Sequence, residues 1–235
     1  MSLSSSPASV HASHARAPYL TGLALAGVGA VFFSAKAIVA KLLYREGIDA
    51  VSLIALRMLL SLPFFLIVAA WTWRAPPRLS VRDCLRIAGL GFVGYYCSSM
   101  LDFLGLQLIS AGLERLILFL TPSFVLVLGI FVFKRRVSPQ QWLSMAFAYA
   151  GIVLVFWHDV SLGGGAVALG AGCVLAAALM YGVYLLYSGE MVQRVGSLRL
   201  VALAMTLSAL MSIGQYALLR PAATRTAPPW ADSGS

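Results

Sequence analysis

Seven apolar runs, each long enough to cross a bilayer, fill residues 19 to 220 of this 235-residue chain. A helix rises about 1.5 Å per residue, so a hydrocarbon layer of roughly 30 Å takes about 20 apolar residues, the length of these runs. The period-two alternation of a membrane β-barrel is absent, which leaves helices as the way to satisfy every backbone group in lipid. Composition agrees, with 60% hydrophobic and 11% charged residues against about 25% charged in an ordinary soluble domain. The chain reads as an all-α polytopic membrane bundle with spans near 19–43, 50–72, 85–106, 112–133, 140–157, 165–187 and 199–220. Residues 1–18, rich in Ser and Ala, read as a disordered tail, and their lack of acidic residues also suits an organelle transit peptide. The first run is too long, and too poor in cleavage signals, for a secretory peptide.

A net charge of +9 raises nucleic acid as a partner, but the placement of the charge argues against it. With alternating spans, Arg16, Arg74, Arg78, Arg82, Arg86, Lys134, Arg135, Arg136, Arg194 and Arg199 fall on one side. Lys41, Arg45, Arg220 and Arg225 fall on the other. This bias follows the positive-inside rule and puts the N-terminus in the cytoplasm, which also disfavours a seven-span receptor. Cys84, Cys97 and Cys173 are odd in number and unpaired in spacing, so they imply neither disulfides nor a metal site. His11 and His14 in the tail and His158 at a span end have no second ligand cluster beside them. No phosphate-cradling GxxxxGK[ST] loop, catalytic serine motif or cofactor signature is present, so neither an ATP-driven pump nor an intramembrane enzyme is supported.

Ionisable residues inside spans are costly in hydrocarbon and usually face a cavity, a partner or an interface. Here they are Lys36, Arg57, Asp102, Glu114 and Arg115, and under this topology all lie in the outer half of the membrane. They describe either a polar vestibule opening outward or a structural ion-pair network. Arg57, on a span that begins outside, leans toward the outer interface and can snorkel there, whereas Lys36 leans toward the membrane centre. Asp102 shares a helix face with Tyr95, Ser98 and Ser99 at offsets of seven, four and three, a stripe that suits cavity lining or a hydroxyl-bonded packing interface. Glu114 and Arg115 begin span four, where interfacial solvation is common, and adjacent residues do not share a helix face.

Pro63 in span two and Pro122 in span four each remove a helical hydrogen bond, so a kink or hinge is expected, with the carbonyls of Leu59 and Leu118 freed. In span six, Tyr181, Tyr184 and Tyr187 recur every three residues. Tyr187 suits interface anchoring; Tyr181 and Tyr184 lie deeper, where they can pack or can stack on a ligand. Small residues at four-residue spacing, Gly22, Ala26, Ala30 and Ser34 in span one and Ala204, Ser208 and Ser212 in span seven, point to close helix packing.

The segment GVGAVFFSAKAIVAKLLYREGIDAVSLIALRMLLS has a weak counterpart in VLAAALMYGVYLLYSGEMVQRVGSLRLVALAMTLS, starting at Val174. Both join a small-residue helix through a mixed-charge junction closing in glycine, Gly47 or Gly196, to a second helix. Five spans precede the second copy, so it enters from the opposite side, the inverted-repeat plan of many secondary transporters. The expectation is one five-helix repeat at 19–157, the first two helices of an inverted partner at 165–220, and a polar tail at 221–235 that reads as a premature or frame-shifted ending.

On FFSAKAIVAKLL in span one, ALRMLLSLPF with Arg57 in span two, and YYCSSMLDFLGLQLISAGLERLILFLTPSFVLVLGIFVF across spans three and four, the chain resembles the EamA-type branch of the drug/metabolite transporter superfamily over roughly residues 20–220. Where such proteins often carry a Gly-Glu pair after span four, this chain has Lys134, Arg135 and Arg136, so no role of that glutamate transfers. The resemblance implies a bacterial inner-membrane carrier of small metabolites, amino-acid-like solutes among them, working by alternating access without a cofactor. The partners implied are the lipid bilayer, a small-molecule substrate and, for a chain with a partial second repeat, a homodimer. The pathway is expected to be lined by Lys36, Arg57, Tyr95, Ser99, Asp102, Glu114, Arg115, Tyr181 and Tyr184. The alternative is a non-transporting remnant of a ten-span protein.

Overall fold

A computed structural model describes residues 8–74, 76–134 and 138–219. Its helices are α1 (Ala8–Arg45), α2 (Ala50–Trp73), α3 (Val81–Gly91), a π-helical segment (Phe92–Cys97), α4 (Ser98–Leu108), α5 (Ala111–Leu118), α6 (Thr121–Phe133), α7 (Pro139–Val195) and α8 (Ser197–Leu219). No strand occurs among the described residues. Seven helical stretches among them are long and apolar enough to cross a membrane: Gly22–Arg45, Ala50–Trp73, Val81–Leu108, Ala111–Val132, Pro139–His158, Gly164–Val195 and Ser197–Leu219. These coincide with the seven runs of the sequence. The all-α polytopic fold is therefore shown, with span three built from α3, the π-helical segment and α4, and span four from α5 and α6.

Helix ends follow local chemistry. Ser80 opens α3 and Ser138 opens α7 through capping boxes, in which the side-chain oxygens of Asp83 and Gln141 accept from the backbone N–H of the capping serine. The Ser110 hydroxyl accepts from the Leu113 amide at the start of α5. Each cap satisfies amides that have no partner within their helix. Gly47 (φ 82°) and Gly196 (φ 86°) close the helices before them in a backbone region that other residues enter at a cost. Within α7, Gly164 at φ 63°, ψ −146° is not helical, so α7 is two helices, spans five and six, that meet at a kink there.

The chain divides into two compact units, Met1–Val39 and Ala40–Ser235. The described part of the first is helical from Ala8 onward, beginning within the stretch read as a tail; residues 220–235, including the predicted polar tail, lie outside the described residues. In the second unit α2 packs on α8, α4 on α7, α5 and α6 on α7, and α3 on α8. Ile87, Met191, Val195, Leu200 and Ala204 form one buried cluster. Ile109, Leu113, Ile117, Ala171 and Val174 form another. Where α4 crosses α7 the backbones nearly touch: a Cβ on Gly105 would stand 2.5 Å from the Gly170 carbonyl oxygen.

The outward faces are apolar. Leu60, Ile67, Phe131, Leu154 and Trp157 are each at least 70% exposed, a surface that belongs in hydrocarbon rather than water. Ala204, Ser208 and Ser212 of the small-residue stripe in span seven are buried. In the matching stripe of span one, Gly22 and Ala30 are exposed.

Candidate translocation site

Two groups of polar side chains lie inside the second unit, and a third closes one of its ends. The first group gathers the C-terminal ends of α1 and α4 with the N-terminal ends of α2 and α5. The Tyr44 hydroxyl donates to the Phe103 carbonyl at 2.9 Å, and the Lys41 ammonium reaches the Gln107 carbonyl at 3.4 Å. The Arg57 guanidinium sits 5.4 Å from the Phe103 ring centroid, a separation typical of cation–π attraction. Asp102, 5% exposed, interacts electrostatically with both Arg57 and Tyr44. Glu114 is fully buried and holds the Arg115 guanidinium, Nε to Oε2, at 3.0 Å. Adjacent helix positions point in different directions, yet these two pair. The three methylenes of arginine let its head swing back, and a buried carboxylate gains most from a partner at hand.

The second group lies near the middle of span three. The hydroxyls of Tyr95 and Tyr184 are 3.0 Å apart, and Tyr184 stacks on Tyr181 at 5.6 Å between centroids. Room for this comes from Gly94, where a Cβ would stand 2.3 Å from the Tyr184 ring. The π-helical segment sets the position of Tyr95, since its wider turn shifts the register that α-helical counting assumes. A groove of about 470 Å³ runs from Tyr184 along Leu90, Val93 and Met191 to Arg86 and Glu190, which pair at 3.7 Å. Beside the tyrosines the Ser98 hydroxyl donates to the Ala177 carbonyl at 3.0 Å, tying α4 to α7.

The end at which Arg86 and Glu190 meet is held by further long-range bonds. Arg194 pairs with buried Asp83 at 3.0 Å. Arg199, 3% exposed, donates from its two terminal nitrogens to the carbonyls of Trp73 and Pro77, each at 2.7 Å. A mostly apolar interior, a charged cluster at one end and a tyrosine-floored groove toward the other form an arrangement able to receive a small amphipathic molecule.

Of the residues singled out from the sequence, Arg57 and Asp102 come together, Glu114 pairs with Arg115, and Tyr95, Tyr181 and Tyr184 form one cluster. Lys36 belongs to the first unit, where its ammonium lies 5.3 Å from the Phe33 ring centroid. Ser99 is half-buried. Pro63 lies inside the unbroken α2, whereas Pro122 stands in the first turn of α6, just after a break at Phe119–Leu120. A first-turn proline has no helical hydrogen bond to lose. No group of three or more His, Cys, Asp or Glu suited to a metal occurs among the described residues. Tyr44, Phe103, Gly94, Asp83 and Arg199 were not anticipated. Their cross-helix partners lie far along the chain, and apart from the Ser80–Asp83 capping box no local spacing marks them.

Residues 20–157 match the EamA-like transporter family. The chain is 31% identical over 186 residues to "Uncharacterized transporter YcbK" of Bacillus subtilis (strain 168), an alignment covering 76% of this chain and 58% of that protein. The chain thus spans less than two thirds of the length of this relative. No solved structure matches it. With the matched segment covering more than half of a chain that folds into apolar membrane-length helices, the protein is an integral membrane member of the EamA-like transporter family.

Proposed function

We propose that the chain carries small polar or amphipathic metabolites, amino-acid-like solutes foremost, across a bacterial inner membrane by alternating access. The observation that carries this reading is buried Asp102, adjacent in the chain to Phe103, whose ring the Arg57 guanidinium faces at 5.4 Å, in a protein of a transporter family. A buried carboxylate is costly unless compensated. A solute ammonium entering the site takes over the compensation of Asp102 and frees Arg57 for a solute carboxylate, so one zwitterion serves both charges. Tyr95, Tyr181 and Tyr184, with Ser99 nearby, offer rings and hydroxyls to the apolar part of the same solute. The Glu114–Arg115 pair completes the polar pathway, and Lys36 of the first unit takes part in transport. Pro63 and Pro122 supply the hinges, and the two related segments act as inverted repeats. The N-terminus lies in the cytoplasm, and no ATP site of the chain's own drives the step. A homodimer supplies the helices that enclose the pathway if one chain does not.

Uptake of radiolabelled amino acids into liposomes holding the purified chain tests this reading. Asp102→Asn and Lys36→Met each lower the initial rate about tenfold or more, the loss expected when a charged contact is removed. Unchanged rates in both variants would remove these residues from the mechanism. No uptake at all by folded protein would support a membrane protein that does not transport.

A further inference from the structure

The arginines at the Asp83 end do not share one fate. Arg86 and Arg194 are matched with Glu190 and Asp83. Arg74, Arg78 and Arg82 make no ion pair among the described residues. Arg74 and Arg78 line a pocket of about 420 Å³ together with Trp73 and Leu79. The chain beside the pocket is anchored: buried Arg199 donates to the carbonyls of Trp73, which ends α2, and of Pro77, within the connection to α3. Two exposed guanidinium groups, Arg74 and Arg78, thus share a pocket in which they can close over an anion. Its depth is marked as well. Trp71 and Trp73 are 76% and 54% exposed at the end of an apolar span, and indoles in that setting lie at the level of lipid headgroups.

We infer that the Trp73–Arg74–Arg78–Leu79 pocket binds the phosphate of an anionic phospholipid headgroup. The guanidinium groups of Arg74 and Arg78 donate to the phosphate oxygens in the paired geometry that arginine and phosphate share. The indole of Trp73 and the side chain of Leu79 cover the glycerol and upper acyl carbons. Uncompensated basic charge facing an anionic leaflet favours such a lipid over a zwitterionic one, and a pocket at headgroup depth meets lipid before it meets dissolved phosphate. The site is separate from the proposed pathway and does not depend on it.

Quenching of tryptophan fluorescence by brominated lipid tests this in vesicles of phosphatidylcholine containing brominated phosphatidylglycerol or, separately, brominated phosphatidylcholine. The Trp73→Phe variant gives the signal that belongs to the other tryptophans. Quenching of Trp73 is expected to show about a five- to tenfold preference for phosphatidylglycerol at low ionic strength, shrinking as salt is added. The preference disappears in the double variant Arg74→Gln/Arg78→Gln, stays in part in Arg74→Lys/Arg78→Lys, and is unchanged in Arg45→Gln at the opposite end. Circular dichroism shows whether each variant is folded, and the lysine pair keeps the test informative if the glutamine pair is not. Equal quenching by the two lipids, or a preference that survives the glutamine pair, would overturn the assignment. Relief of quenching by inorganic phosphate would give the pocket to a soluble anion instead.

Discussion

Gly105 and Gly172 have the same side chain and opposite environments. A Cβ on Gly105 would stand 2.5 Å from the Gly170 carbonyl oxygen and 2.6 Å from Val174, while one on Gly172 would meet nothing within 4 Å. A backbone oxygen cannot rotate out of the way as a side chain can, so Gly105→Ala forces α4 and α7 apart at a cost of about 1–3 kcal/mol. Gly172→Ala, by contrast, removes helix-disfavouring freedom and is worth roughly 0.5–1 kcal/mol in the stabilising direction. Thermal unfolding of both variants in detergent, followed by size-exclusion chromatography, should lower the midpoint for the first and hold or raise it for the second. Equal shifts would mean that the α4–α7 contact is looser than its geometry. Residue spacing by itself did not reveal which glycines matter, because the constraint at Gly105 comes from a residue beyond two intervening helices. Asp102, which is buried, and Arg57, which is half-buried, are legible for a different reason. A charge within an apolar run is conspicuous in the sequence whatever the fold around it.

At the scale of elements, apolar length and capping chemistry make the spans readable, and departures from α geometry hide what they present. The offset of seven between Tyr95 and Asp102 assumes unbroken α turns. The π-helical segment Phe92–Cys97 interrupts them, and Tyr95 meets Tyr184 on α7. The two prolines diverge in the same way. Pro63 stands in the interior of α2 and denies the Leu59 carbonyl its usual donor. Pro122 occupies the first turn of α6 beyond a break in span four, so its missing amide costs little. Pro63→Ala should therefore raise the thermal midpoint, by up to about 3 kcal/mol of helix stability, while Pro122→Ala should leave it nearly unchanged. If the break at Phe119–Leu120 is the working hinge, Pro122→Ala slows uptake into liposomes without loss of stability. A large stability loss in Pro122→Ala would instead mark the proline as part of the packing.

Across the whole chain, charge is sorted by end. Arg199 reaches the carbonyls of Trp73 and Pro77, Arg194 reaches Asp83, and Arg86 reaches Glu190, so side chains from spans three, six and seven and the backbone at the end of span two meet where basic residues concentrate. Lys41 and Tyr44 meet span three at the other end, where the exposed cation is Arg45. The alternation of basic and neutral gaps in the sequence is thus a partition of the folded unit, and the partition has a physical consequence during insertion. Basic flanks are retained in the cytoplasm, so the Arg74–Arg86 end should face inward and Arg45 outward. In a background with Cys84, Cys97 and Cys173 replaced by serine, a membrane-impermeant maleimide should label the Arg45→Cys variant in intact cells. It should reach the Arg78→Cys variant only after permeabilisation. Reversed labelling would invert the orientation, and equal labelling of both in intact cells would mean that the chain inserts both ways. The bias argues against that last outcome: under the alternating topology ten cations fall on one side and four on the other, an imbalance that favours one orientation. An inward-facing Arg74–Arg86 end also places the proposed lipid pocket in the cytoplasmic leaflet, where anionic lipid and basic side chains attract most strongly.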